Sequence, residues 1–124
     1  AAAKAAAGVP VIANGGVYTR ADAEKMLDRT GADGVMLARA AMYDPHVFAH
    51  ILTGEEEWDR GAVIRRQIAD MLPFYGEKFT LVQMRKMTSF YIRGMRDCAA
   101  RRKQLFACES LTELYDILAE LFGE

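Results

Sequence analysis

The architecture of this chain depends on the segment Val9-Pro10-Val11-Ile12-Ala13-Asn14-Gly15-Gly16. Its first five residues are apolar without period-2 alternation, which predicts a strand buried on both faces of a parallel sheet. The Asn-Gly-Gly that follows predicts a tight loop rich in backbone N–H groups. Thr19-Arg20-Ala21-Asp22 then has the pattern of a capping box, so we expect a helix to start directly after the loop.

A second apolar segment, Gly34-Val35-Met36-Leu37-Ala38, ends at Arg39 and predicts a second strand. Strand, helix and strand then form one βαβ unit, and the loops after its two parallel strands should hold one ligand between them. Glycine lets the backbone approach a ligand, loop N–H groups attract phosphate, and arginine adds a charged, forked donor. The residues predicted to bind phosphate are Asn14, Gly15, Gly16, Ala38 and Arg39. The alternative is a structural turn beside a salt-bridging arginine.

The pattern beyond residue 54 is helical throughout. Asp44-Pro45 predicts a helix over 45–52, and further helices are predicted over 55–75, 80–95 and 97–107, with a last one capped by Ser110 and Glu113. The apolar positions predict core faces, listed by helix as Ile64, Ile68, Met71, Leu72 and Tyr75; Met84, Met87, Thr88, Tyr91 and Met95; Leu111, Leu114, Tyr115, Leu118, Leu121 and Phe122. Four helices with short connections predict a bundle. We therefore predict an α/β domain over 1–54 and an all-α domain over 55–124.

Charge is distributed unevenly along the 124 residues, although the net charge is only −1. Residues 81–108 carry seven positive charges and one negative charge, whereas residues 109–124 carry five negative charges and none positive. A basic block of this kind is either a solvated face or a surface for a polyanion, whose phosphate contacts would be strongly salt-dependent. The residues predicted to bind nucleic acid are Arg85, Lys86, Arg93, Arg96, Arg101, Arg102 and Lys103.

The sequence does not indicate a membrane-spanning protein, a secreted protein or a metal-binding protein. No apolar run approaches the ~20 residues of a membrane span, and no signal peptide is visible, so we expect a cytoplasmic protein. Cys98 and Cys108 are too far apart for a CxxC motif and are predicted to be reduced thiols. His46 and His50 have the i, i+4 spacing of metal ligands but lack a third ligand, so we expect no metal. The first seven residues read as the end of a helix, and we expect a piece of a longer protein.

These segments resemble the tRNA-dihydrouridine synthase family. Residues 9–17 and 30–40, with Asp22-Ala23 between them, are similar to the end of that family's barrel. Tyr75-Gly76-Glu77-Lys78, Met84-Arg85-Lys86 and Tyr91-Ile92-Arg93-Gly94 are similar to its helical domain. The resemblance implies the last two βα units of a TIM (β/α)8 barrel followed by a C-terminal four-helix bundle. It also implies that the five loop residues hold the phosphate of FMN and that the basic helices bind tRNA.

The family's activity is implied by the same resemblance. Its members reduce the C5=C6 bond of uridine in tRNA with FMN, which NADPH reduces, and a cysteine on an earlier barrel loop donates the proton. That loop has no counterpart here, so we expect no activity from this chain alone. The chain departs from the family at Gly16, Ala38 and His46, where Asp, Gly and an aromatic residue are common.

Two other functions are compatible with the pattern. One is a stand-alone helical RNA-binding module, and the other is a different phosphate-binding TIM barrel whose helical tail mediates oligomerisation. Two strands cannot close a barrel, so their edges and apolar faces would be exposed. We therefore expect residues 1–52 to be less stable than the helices, or to be stabilised by self-association.

Overall fold

The structure is a computed structural model that describes residues 1–55 and 57–123. These residues belong to two compact units, Ala1–Glu57 and Trp58–Glu124. The first unit contains α1 (Ala2–Ala6), β1 (Ile12–Asn14), α2 (Arg20–Thr30), β2 (Gly34–Met36), α3 (Arg39–Tyr43) and α4 (Val47–Thr53). The second contains α5 (Arg60–Tyr91), α6 (Cys98–Ala107) and α7 (Leu111–Phe122). In the described part of the chain, no helix combines the length and apolar character needed to cross a membrane.

The two strands pair in parallel, as the sequence predicts. Ile12 lies opposite Gly34, and Asn14 lies opposite Met36. Each strand is three residues long, shorter than the apolar segments that predicted it. The connecting helix α2 packs against both strands, which completes a βαβ unit.

The apolar strand faces are exposed in this chain, as expected for two strands that cannot close a barrel, although their pattern is that of strands buried on both faces. Ile12 is 59% exposed and Met36 is 53% exposed. Among the described residues, β1 and β2 pair only with each other. A two-stranded sheet covered by one helix therefore leaves apolar side chains in water.

The start of α2 confirms the predicted capping box. The Thr19 Oγ1 accepts a hydrogen bond from the Asp22 N–H (3.1 Å), and the Asp22 carboxylate accepts one from the Thr19 N–H (3.0 Å). These two bonds satisfy backbone donors that the first turn of a helix leaves unpaired. Gly31 ends the helix, also as predicted.

Helix α4 begins two residues later than predicted. Asp44 accepts hydrogen bonds from the His46 N–H (2.8 Å, side chain) and the Val47 N–H (3.2 Å, backbone). Asp44 therefore organises a turn over Pro45 and His46, and regular helix starts only at Val47.

Helix α5 contains the two helices predicted over 55–75 and 80–95, and the break between them lies at Gly76, just after the predicted end of the first. It runs from Arg60 to Tyr91 and is interrupted only by Gly76, whose φ of 71° and ψ of 173° are not helical. Its start is later than predicted because the Asp59 side chain accepts the Ala62 N–H (2.8 Å) and caps the helix there. Residue 56 of the predicted acidic start lies outside the described residues.

The core of the second unit is formed by α5, α6 and α7. Its fully buried residues include Ile64, Ile68, Met84, Leu105, Leu114 and Leu118. The predicted core positions are largely confirmed, but Tyr75 and Tyr115 are exposed. Gly61 allows α5 and α7 to approach closely, because a Cβ at this position would lie 2.7 Å from the Phe122 Cβ.

Candidate functional site

The five predicted phosphate-binding residues line one cleft of about 230 Å³ in the first unit. β1 ends at Asn14 and β2 ends at Met36, so the loops after the two strands lie at the same edge of the sheet. The cleft is lined by Asn14, Gly15, Gly16, Val17, Tyr18, Met36, Ala38, Arg39 and Ala40. The predicted meeting of the two loops is therefore present, and Tyr18 and Met36 are lining residues that the sequence did not single out.

The glycine loop offers backbone donors to this cleft. Gly16 has a φ of 66°, in the left-handed region that side chains disfavour, and Gly15 also has a positive φ. The side chain of Val17 is buried and anchors the end of the loop. Within residues 1–55 and 57–123, the N–H groups of Gly16 and Val17 donate no hydrogen bond to another residue. Two consecutive backbone donors are thus available to a ligand.

The backbone N–H groups before α2 are less available to a ligand than the sequence suggested. The Asp22 carboxylate accepts hydrogen bonds from the N–H groups of Tyr18 (3.1 Å) and Thr19 (3.0 Å). The Tyr18 bond is the main reason that the pKa of Asp22 lies below its ordinary value, and the bonds of Thr19 add to it. Because a carboxylate already holds these donors, an anion in the cleft would depend on the Gly16–Val17 loop instead.

Arg39 supplies the positive charge of the cleft. It is exposed at the first position of α3 and forms no ion pair with another described residue. A free guanidinium beside two backbone donors is suited to the forked recognition of a phosphate group. The arrangement can therefore bind an anion without moving a structural salt bridge.

Three of the seven basic residues predicted to bind nucleic acid are held by the second unit itself. Arg85 donates from Nη1 to the carbonyl oxygens of Cys108 (2.8 Å) and Phe106 (3.3 Å), at the end of α6. Arg102 donates from Nε to the Ser89 carbonyl (3.0 Å), and Arg101 pairs with Glu120. These side chains connect α6 to α5 and α7.

The other four basic residues, Lys86, Arg93, Arg96 and Lys103, are exposed. Lys86 and Lys103 form no ion pair with another described residue, whereas Arg96 lies 3.6 Å from the carboxylate of its neighbour Asp97. Arg93 lines a shallow cleft together with Trp58 and Phe122. The exposed cationic surface is therefore smaller than the charge count indicated.

One residue of the predicted histidine pair, His50, contacts the carboxylate of Asp44. His50 Nδ1 lies 2.6 Å from Asp44 Oδ2, and the rings of His46 and His50 are 6.0 Å apart. Across the residues that the structure describes, no group of three or more His, Cys, Asp or Glu side chains could hold a metal ion.

Both cysteines are free thiols in the second unit. The Cys108 Sγ donates to the Leu105 carbonyl oxygen (3.1 Å), and burial raises the pKa of this thiol. A buried, protonated thiol is a poor nucleophile, so Cys108 serves packing.

An exposed aromatic pair on α5 is the feature that sequence reasoning missed. Tyr75 is 58% exposed and Phe79 is 46% exposed, with ring centroids 4.9 Å apart. The helical spacing assigned Tyr75 to the core because it treated residues 64–75 as one uninterrupted face. Gly76, which can leave helical geometry, was the available indication that this face ends there.

The fold and the clefts define a class: a parallel βαβ unit with a cleft at the ends of its strands, followed by a helical unit that carries the basic block. The family model described as dihydrouridine synthase (Dus) matches residues 1–122. The chain belongs to this family.

Curated relatives agree with that assignment. A probable tRNA-dihydrouridine synthase of Mycobacterium tuberculosis is 29% identical, covering 93% of this chain and 32% of the relative. Probable tRNA-dihydrouridine synthase 1 of Synechocystis is 33% identical, covering 93% and 35%. The tRNA-dihydrouridine(47) synthase [NAD(P)(+)] of Cryptococcus neoformans is 42% identical over 46% of this chain and 8% of its own length. The chain thus spans about a third of the length of the first two relatives.

Proposed function

We propose that this chain is the cofactor-phosphate and tRNA-binding part of an FMN-dependent tRNA-dihydrouridine synthase. In this proposal, residues 1–54 are the last two βα units of a (β/α)8 barrel. Residues 55–124 are a helical tRNA-binding domain, in which the two halves of α5 act with α6 and α7 as a four-helix bundle. The observation that carries the proposal is the cleft that gathers Asn14, Gly15, Gly16, Ala38 and Arg39.

The cleft fits the phosphate of FMN. The N–H groups of Gly16 and Val17 would donate to phosphate oxygens, and Arg39 would neutralise their charge. Neither Gly15 nor Gly16 has an atom within 4 Å of the Cβ position, which leaves the loop open to a close ligand. When bound, FMN supplies hydride transfer to the uridine ring, and NADPH supplies the electrons. The name of the Cryptococcus relative, which includes NAD(P)(+), is consistent with that reductant.

The exposed lysines support the tRNA part of the proposal. Lys86 and Lys103 are available to phosphates, with Arg93 and Arg96 nearby in the chain, whereas Arg85, Arg101 and Arg102 hold the helices that carry them. Recognition through phosphates and shape suits a folded RNA. A tRNA substrate also favours a cytoplasmic location.

We propose that this chain does not reduce uridine by itself. The family resemblance assigns proton donation to a cysteine on an earlier barrel loop, and Cys98 and Cys108 both lie in the helical unit. The chain would contribute binding, and the exposed strand surface leaves room for self-association.

The cofactor part is tested by comparing FMN with riboflavin, which lacks the phosphate. We expect FMN to bind more tightly to the unaltered chain in a fluorescence titration, and we expect Arg39→Gln to remove most of this preference. One lost charged hydrogen bond corresponds to roughly 1.5–3 kcal/mol. Equal affinity for FMN and riboflavin would contradict a phosphate site in this cleft.

The tRNA part is tested by binding of an unmodified tRNA transcript across a salt series. Lys86→Gln/Lys103→Gln should lower the slope of log Kd against log salt by about 2, because each lysine neutralises one phosphate. Arg66→Gln is the matched control, since Arg66 is exposed on α5 but lies outside the basic block. Arg85 is unsuitable for this test because its loss would unpair the end of α6. A slope that is equal in both variants would argue against the lysines as the tRNA contact.

A further inference from the structure

Helix α5 carries an exposed, mainly aromatic ridge that lies outside the core cluster of the helical unit. We define the ridge as Phe74, Tyr75, Phe79 and Val82, four apolar side chains between 46% and 82% exposed. Aromatic groups of this size are usually buried, and exposed groups of them mark interaction surfaces.

The position of the ridge follows from the buried face of the same helix. Thr80, Leu81, Met84 and Thr88 are buried towards the core, whereas Phe79, Val82 and Lys86 are exposed and have the i, i+3, i+7 spacing of a single face. The exposed aromatic surface is therefore continuous with a lysine that the proposed function assigns to tRNA. Phe79 and Lys86 are separated by about 10 Å along the helix axis.

The break at Gly76 lies between the two aromatic rings of the ridge that contact each other. Its non-helical backbone joins the two halves of α5, and the rings of Tyr75 and Phe79 lie 4.9 Å apart with an interplanar angle of 32°. The two rings are tilted towards each other and in contact, and each keeps about half of its surface exposed. Gly76 has no atom within 4 Å of its Cβ position, so its positive φ, and not crowding, accounts for glycine here.

We propose that Tyr75 and Phe79, with Lys86 on the same face of α5, form a stacking platform for an unpaired base of tRNA. This inference rests on the proposed function, because it takes tRNA as the ligand of the helical unit. Proteins recognise unpaired RNA bases by stacking them on aromatic side chains beside cations that hold the backbone. Lys78 and Lys86, both exposed, provide the cations, and Glu77 is the acidic residue between the aromatic positions.

The chemistry of the ridge favours RNA over a protein partner. An RNA ligand uses both features of the ridge, because its bases stack on aromatic rings and its phosphates pair with adjacent cations, whereas an apolar protein surface uses only the rings. The ridge has exposed aromatic rings next to two exposed cations, Lys78 within it and Lys86 one turn beyond Val82, where the basic block of residues 81–108 begins.

The test is the affinity of the chain for an unmodified tRNA transcript at several salt concentrations. Tyr75→Ala/Phe79→Ala should raise Kd about 5-fold to 150-fold, the range for loss of one stacked base. The factor should be similar at low and high salt, because stacking releases no counterions, so the slope of log Kd against log salt stays unchanged. Lys86→Gln should instead lower that slope by about 1.

Two single variants separate stacking from apolar contact. Phe79→Leu keeps apolar bulk without a π face and should weaken binding almost as much as Phe79→Ala. Tyr75→Phe keeps the ring and should bind as the unaltered chain does. Since both residues are exposed, none of these changes should unfold the helical unit, which circular dichroism would verify.

The possible failures are distinguishable. Salt-dependent tRNA binding that the double alanine variant retains would overturn the platform and leave the proposed function intact. Loss of self-association in that variant, at unchanged tRNA affinity, would assign the ridge to a second copy of the chain and overturn the platform. Absence of tRNA binding by the unaltered chain would overturn both proposals.

Discussion

The two units bury apolar surface to very different extents. Among the described residues, the first unit buries four apolar side chains, namely Val17, Ala23, Ala40 and Val47. The second buries ten, which form one contiguous cluster that includes Tyr91, Ile92 and four leucines. Each unit contains helices with well-formed caps, so the difference is not one of local structure.

This difference shows how secondary structure and stability are separate properties. The capping box at Thr19 and the parallel pairing of β1 with β2 order the first unit locally. Local order does not remove much apolar area from water, and burial is the dominant favourable term in folding. The helical unit can therefore be stable by itself, whereas the βαβ unit depends on further contacts for its stability.

The largest effect should follow from removing a core side chain of the second unit. Leu118 is fully buried, and Leu118→Ala should lower the free energy of unfolding of that unit by about 2–5 kcal/mol through lost transfer energy and a cavity. Trp58, the single tryptophan, packs against Tyr91 and reports this transition by fluorescence in urea.

The matched control for this variant is Leu52→Ala in the first unit, where Leu52 is 78% exposed. A surface change of this kind should stay within about 0.5 kcal/mol. A loss of stability as large as that of Leu118→Ala would mean that the first unit buries Leu52 in solution, and the comparison between the units would fail.

A smaller loss is expected at the helix crossing of the second unit. Gly61→Ala places a Cβ 2.7 Å from the Phe122 Cβ, so α5 and α7 must move apart, at a cost of about 1–3 kcal/mol. Gly8→Ala is the control, because nothing lies within 4 Å of its Cβ position. Equal urea midpoints for the two variants would contradict close packing at this crossing.

Hydrogen exchange compares the two units directly. We expect amides of β1 and β2 to exchange at least about tenfold faster than those near Ile64 and Ile68, because local opening of the first unit exposes less apolar surface. Mass spectrometry after deuterium labelling would measure this for each segment. Equal protection in both units of a monomer would show that the first unit is as stable as the second.

The smallest effect concerns the acid sensitivity of α2. Hydrogen bonds from Tyr18 and Thr19 lower the pKa of Asp22 in the folded state. The resulting stabilisation is present above the unfolded pKa, near 4, and is lost as the pH falls through the lower folded value. The stability of the first unit should thus decline below about pH 4, and this decline should be weaker in Asp22→Asn.

Asp33 contributes to the same decline, since its pKa is lowered by Lys4 and by the Val11 N–H. Asp22→Asn should therefore reduce the acid response without abolishing it, as followed by circular dichroism during an acid titration. An unchanged acid response in this variant would mean that the Asp22 hydrogen bonds do not persist in solution.

Features that depend on neighbouring residues could be predicted from the sequence alone. The Thr19–Asp22 box, the parallel βαβ unit and the buried positions Ile64 and Leu114 depend on spacing within a few residues of the chain. The meeting of the glycine loop with Arg39 was also predictable, because parallel strands end at a common edge.

What the sequence could not indicate depended on partners distant in the chain. Arg85 resembled a surface cation until the fold brought its guanidinium to the carbonyl groups of Phe106 and Cys108. The sequence shows that this residue carries a positive charge, but it does not show that carbonyl groups at a helix end more than twenty residues away accept its hydrogen bonds.

The amino-acid sequence by itself determined the family, the caps of α2 and α7, the order of the elements and the residues that line the cleft at the strand ends, because these follow from short-range stereochemistry and from motif order. Only the tertiary structure decided the structural role of Arg85 and the aromatic ridge at Tyr75 and Phe79. Exposure is a property of the whole packing arrangement, and α5 leaves helical geometry at Gly76, next to Tyr75 and between the buried residues Ile68 and Thr80.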